Sequence, residues 1–199
     1  MSYLRKYSEE EYFRILEASD YRIEYVDGFL FPMHNHGHTE PLTRLTSKHG
    51  LVCGNLHALL HAPAKAAGLK LYCSTMRVKV KGYQNLAGKW VKQYQTPDLV
   101  ATAEAPAPTA THLTAPVFIA EVLSPRTQDA DRWPKLEQYC ALPSLRHYLL
   151  VDTAARAARL YTRQQNGWAE QYAEGEGEIR LEWPALTLTL AELYDGTSV

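Results

Sequence analysis

Acidic residues are missing altogether from positions 41 to 97, although the whole chain holds 22 of them against 21 Lys and Arg. Nine of the basic residues fall in that window, so a net charge of -1 conceals a segment of +9 beside a remainder of -10. Such a segment can present one positive face to a polyanion, whereas scattered solvated lysines are the alternative reading. Also missing is any run of about 18 apolar residues, and the N-terminal MSYLRKYSEEEYF lacks the apolar region of a signal peptide. No membrane association and no secretion are therefore expected, and the cytoplasm is the default location. Cysteine is scarce: Cys53, Cys73 and Cys140 are odd in number and lack CxxC spacing, which argues against a disulfide framework and a structural zinc site. What remains, at 46% hydrophobic and 22% charged over 199 residues, suits one soluble domain with a substantial core.

Local patterns supply the elements. Ser8 followed three residues later by Glu11 has capping-box spacing and starts a short helix ending near Asp20. YRIEYVDGFLFPM alternates about Asp27-Gly28, which predicts a β-hairpin with Glu24 on its first strand. From Ser47 to Ala67, Val52, Leu56, Leu59 and Leu60 share one helical stripe, with Gly68 as the stop. LKLYCSTMRVKVKG reads as a strand whose second half turns Met76, Val78 and Val80 one way and Arg77, Lys79 and Lys81 the other. QYQTPDLVATA reads as a further strand with Pro97 at its entry and Asp98 next to it. VFIAEVL is a buried strand, followed by a helix from about Asp131 to Ala141 and a second buried strand, LRHYLLVD. The tail reads as antiparallel hairpins turning at Asn166-Gly167 and between Glu174 and Gly177.

Glu121 stands in the middle of that first buried strand, where an unpaired carboxylate costs several kcal/mol or shifts its pKa. An ion pair, with Arg146 for example, is one compensation. A hard divalent cation shared with Asp98 on the neighbouring strand, with Lys135 on the next helix to counter phosphoryl charge, is another. Lys135 four residues after Asp131 also suits a surface pair. HNHGH and the helically spaced Cys53, His57 and His61 show no closed-site metal spacing, and Ser124 lacks a nucleophile elbow.

The ordered set YRIEYVDG, HGLVCGNL, TPDLV, PVFIAEVLSPRTQDADRWPKLEQY and LRHYLLVD resembles the Uma-type restriction endonuclease family of the PD-(D/E)XK nuclease superfamily, over roughly residues 8 to 195. The resemblance implies an α/β fold: a restriction endonuclease-like core with a central mixed sheet flanked by helices, an N-terminal hairpin and C-terminal antiparallel hairpins. It implies a magnesium-dependent nuclease site at Asp98 and Glu121, with manganese as a substitute metal and the Val122 carbonyl completing the metal shell. The superfamily's Lys two residues after the Glu is Leu123 here, so the resemblance carries that role to Lys135. Glu24 matches an additional acidic residue and His49 a family histidine.

The expected activity is endonucleolytic hydrolysis of phosphodiester bonds, of DNA in the first place. Arg77, Lys79 and Lys81 would hold the nucleic-acid backbone, and a homodimer would suit a duplex. The competing expectation is a noncatalytic nucleic-acid-binding or protein-interaction module that keeps the nuclease fold.

Overall fold

The computed structural model describes residues 5–19, 23–32, 46–74, 76–84, 90–123 and 132–199. Helix α1 (Glu9–Glu17) begins as its capping box predicts: the Glu11 amide donates to Ser8 Oγ and the Ser8 amide to the Glu11 carboxylate. It lies on a five-stranded sheet that opens with the hairpin β1 (Ile23–Val26) and β2 (Phe29–Pro32). At the turn Asp27 and Gly28 both have positive φ, 51° and 86°. A Cβ on Gly28 would meet Lys6 Cβ at 3.1 Å, so the turn needs glycine for space as well as for backbone angle.

Thr46 caps α2 (Ser47–Ala66) by accepting the His49 amide. Its buried face is His49, Val52, Leu56, Leu60 and Ala64, and Gly68 reverses the chain at φ 74°. Two expected strands each prove to be two. LKLYCSTMRVKVKG divides into β3 (Lys70–Cys73) and β4 (Arg77–Gln84), which join different sheets, with Ser74 at φ 22° just after β3 ends. In QYQTPDLVATA the strand expected to enter at Pro97 is β6 (Leu99–Thr102), and the residues before it belong to a separate strand, β5 (Trp90–Gln95), because Pro97 has no N–H to continue a ladder. The first sheet is completed by β7 (His112–Leu113), in the order β2-β1-β5-β4-β7.

The second sheet is mixed and six-stranded. Here β8 (Pro116–Leu123) runs parallel to β9 (His147–Asp152), joined by α3 (Arg132–Cys140). Next come β10 (Ala157–Gln164) and β11 (Gly167–Glu174), giving the order β11-β10-β9-β8-β6-β3. Gln164 pairs with Gly167, so the hairpin turns at Gln165-Asn166, one residue before the expected position. A last hairpin, β12 (Glu178–Glu182) with β13 (Ala185–Thr189), and the short α4 (Leu190–Leu193) close the chain.

Alternation along β8 feeds two cores. Phe118, Ala120 and Val122 pack with α2 residues Val52, Leu56 and Leu60, whereas Ile119 and Leu123 pack with Tyr139, Tyr148 and Leu150. Burying each Leu or Phe contributes about 1.5–3 kcal/mol. The expected α/β architecture, a mixed sheet between helices with terminal hairpins, is what the chain adopts.

Candidate functional site

The antiparallel register of β6 and β8 sets Leu99 opposite Ala120 and Val100 opposite Ile119, and one more step puts Asp98 across from Glu121. Asp98 is fixed from two directions. Its Oδ2 accepts the Val122 amide at 2.8 Å, standing in for a ladder carbonyl, and its own carbonyl accepts the Ser74 amide at 2.8 Å. His49 Nε2, from α2, lies 3.5 Å from the same Oδ2.

Glu121 faces α3. Tyr139 donates its hydroxyl to Glu121 Oε1 at 2.9 Å, and Lys135 Nζ, one helical turn away, stands 3.6 Å from that oxygen. The Lys135 stem does reach the site, and Lys135 rather than Arg146 is the cation against Glu121. Arg146 instead stacks over Trp183 with its guanidinium carbon 4.7 Å from the ring. Asp98 is 5% and Glu121 8% exposed, so each would be costly to ionise alone, and each has partners that offset this.

Other bonds hold the frame. Gln95 donates to Gln138 and Gln138 to Gln93, an amide relay tying α3 to the strand that leads to Asp98. Thr153 gives its amide and hydroxyl to the Leu123 carbonyl, pinning the end of β8. Tyr148 lies against Tyr139 at 5.2 Å between ring centres, and burial, then the Glu121 charge, pushes its hydroxyl well above the ordinary tyrosine pKa.

Asp98, Glu121, Val122, Lys135 and His49 are thus gathered at one end of the β6–β8–β9 array. The basic stripe is elsewhere. Val78 and Val80 of β4 pack into the core that holds Tyr139, while Arg77 and Lys79 turn the other way, over the rings of Tyr12 and Tyr94 at 5.9 Å each. Lys81 is exposed. Glu24 lies on β1 opposite Phe31, with its side chain outside the described residues. Ser124, Asp131 and the HNHGH segment also fall outside them. Sequence reasoning assigned no role to Tyr139, whose signal was its position four residues after Lys135.

Two carboxylates on paired strands offer the hard oxygen donors that a magnesium ion prefers, so the residues fit such a cation. A sequence model of the Uma2 family, described as "Putative restriction endonuclease", matches residues 9–191. The chain belongs to the Uma2 family. This Uma2 chain is 25% identical over 193 residues to an uncharacterized protein of Synechocystis sp., covering 96% of this chain and 93% of that one. Its fold is similar to that in the crystal structure of "a putative nuclease belonging to DUF820" from Anabaena variabilis. There the TM-score is 0.64 with 16% identity, over 93% of this chain and 96% of the other. Among the described residues no helix of this Uma2 protein is long and apolar enough to cross a membrane.

Proposed function

We propose that this Uma2 protein is a magnesium-dependent endonuclease that hydrolyses phosphodiester bonds of DNA in the cytoplasm, with manganese able to replace magnesium. The observation that carries the reading is the buried Asp98 and Glu121, each one residue beyond the paired Leu99 and Ala120, with the Lys135 ammonium 3.6 Å from Glu121. A bound cation would supply Lewis acidity toward the phosphate and lower the pKa of a nearby water.

The chain's own groups do the rest. The Val122 amide and His49 hold the Asp98 carboxylate in place, and Tyr139 aims that of Glu121. Asp98, Glu121 and the Val122 carbonyl would hold the cation. Lys135 would counter the charge that develops on the phosphoryl oxygens and hold the attacking water. Glu24 would be a further acidic group. Lys81, with Arg77 and Lys79 on the same stripe, would attract the nucleic-acid backbone through its field rather than at the scissile bond. A homodimer would let two such sites address both strands of a duplex.

Supercoiled plasmid and single-stranded DNA, incubated with magnesium or manganese, test the proposal. Native protein is expected to cut, with cutting abolished both by a chelator and in Glu121→Ala. Folded native protein that cuts neither substrate would overturn the DNA-nuclease reading in favour of the noncatalytic module.

A further inference from the structure

Asp98 has a second set of neighbours on the α2 side of the sheet. His49 and Cys53 are one helical turn apart there, and Cys53 Sγ lies 3.5 Å from His49 Nδ1 and 3.9 Å from Nε2. His49 Nε2 also lies 3.5 Å from Asp98 Oδ2, so one imidazole stands within 4 Å of both a sulfur and a carboxylate oxygen. Among the described residues this is the one group of three His, Cys, Asp or Glu side chains whose ligand atoms all lie within 4.8 Å of one another. His49 and Asp98 are buried and Cys53 is half-buried.

In a tetrahedral zinc shell the nitrogen and oxygen ligands stand about 3.4 Å apart, and nitrogen and sulfur about 3.6 Å, from the usual bond lengths. The Nε2–Oδ2 separation of 3.5 Å is close to the first and the Nε2–Sγ separation of 3.9 Å exceeds the second, so the thiol and imidazole would turn toward each other to close the shell. We propose that His49 Nε2, Cys53 Sγ and an Asp98 carboxylate oxygen form a three-ligand site for a borderline-soft divalent ion of the zinc class, its fourth position open to water. Thiolate and imidazole select such an ion over magnesium, which prefers oxygen. Binding converts the Cys53 thiol to a thiolate and releases that proton to solvent.

The bland account of the same atoms is a thiol resting on an imidazole that pairs with a carboxylate. It predicts no metal selectivity. If the site binds zinc, Asp98 is withdrawn from the carboxylate pair, and zinc becomes an inhibitor. This consequence, unlike the binding itself, rests on the nuclease reading.

Cobalt(II) titration of the purified full chain, followed by absorption, tests the site. One equivalent should bring up a near-ultraviolet thiolate-to-cobalt band and the strong visible bands of four-coordinate cobalt, both removed by zinc and retained in magnesium. The thiolate band should vanish in Cys53→Ser and persist in Cys73→Ser and Cys140→Ser. His49→Gln and Asp98→Asn should raise the titration midpoint about tenfold or more. A second readout uses native protein only: zinc, but not magnesium, should protect Cys53 from iodoacetamide, as mapped by mass spectrometry.

A folded native chain without the thiolate band, or a band that survives Cys53→Ser, would overturn the site. So would equal alkylation of Cys53 with and without zinc. Neither readout involves nucleic acid, so an uncutting protein that shows the band upholds this site while defeating the nuclease reading, and a cutting protein without it does the reverse. In a cutting preparation, zinc should suppress cleavage at the concentration at which it displaces cobalt, and continued cutting there would overturn the inhibitory consequence.

Discussion

Asp98 just before β6 and Glu121 one step beyond its register on β8 have chemically opposite surroundings. Asp98 meets the β8 backbone, an imidazole and, beyond it, a thiol, all placed by α2 and the strand edge. Glu121 meets an ammonium and a phenol, both placed by one turn of α3. A carboxylate held by a backbone amide keeps a fixed position, whereas one held by an ammonium at the tip of a long side chain can trade that partner for a substrate or an ion. The Glu121 side is therefore the part of the site expected to act during chemistry, and the Asp98 side the part that anchors.

The sharpest way to break that contrast is to alter one helix turn. Lys135→Met is expected to lower DNA cutting by about 10²–10³-fold, the usual size of losing one charge-stabilising donor. The rise in melting temperature on adding magnesium should remain, because both carboxylates are intact. Lys135→Arg should recover part of the rate. Loss of the magnesium-induced shift in Lys135→Met would mean that Lys135 serves only to place Glu121. A smaller effect is expected from Tyr139→Phe, which removes one hydrogen bond to a buried carboxylate and should cost about 1.5–3 kcal/mol in denaturant unfolding. Cutting should fall by no more than about tenfold, since Lys135 still orients Glu121. A larger loss of cutting than of stability would make Tyr139 a participant rather than a support.

Which parts were legible in the sequence follows from how local their causes are. The capping box at Ser8, the Asp27-Gly28 turn and the buried stripe of α2 depend on neighbours a few residues apart, and each formed as read. Glu121 stood out because a charge in an apolar strand demands compensation; Lys135 on the next helix was one candidate partner, and the resemblance carried the family lysine's role to it. The break at Ser74 was not visible, because alternation continues through it, and although Pro97 marked a strand entry, nothing local showed that the chain passes from one sheet to the other at both places. His49 was named from the resemblance and Cys53 for its helical spacing with His57 and His61, but that the two neighbour Asp98 was hidden for a related reason: they lie some 50 residues upstream of it. Only the packing of α2 against the sheet joins them to it. The basic stripe was read correctly as one face of β4, but its direction, away from α3 and over Tyr12 and Tyr94, required the second sheet.

The contrast between anchored and exchangeable charge extends along β9, and its far end supplies the subtlest test. Glu121 pairs with Leu150 near the C-terminal end of β9, whereas His147 begins the strand opposite Phe118, with its Nδ1 3.1 Å from Thr162 Oγ1. Burial lowers the pKa of His147 below the ordinary 6.5, opposed by the nearby Glu182 charge and reinforced by Arg146. The folded state thus disfavours the protonated ring. On acidification the unfolded chain takes up its proton near 6.5 while the folded chain resists until lower pH. Stability is therefore full above 6.5 and falls as pH drops below it, by at most about 1.4 kcal/mol per pH unit for one proton. Urea unfolding between pH 7.5 and 5.5 should show this slope, and His147→Gln should flatten it. Glu104 does not confuse the measurement: burial raises its pKa, but hydrogen bonds led by Thr114 outweigh this and place its titration below 4.5. His112 is also lowered by burial and by Lys79, but it sits in the other sheet beside Tyr94. A slope that survives His147→Gln and disappears in His112→Gln would move the acid-sensitive element from the six-stranded sheet to the aromatic cluster under α1.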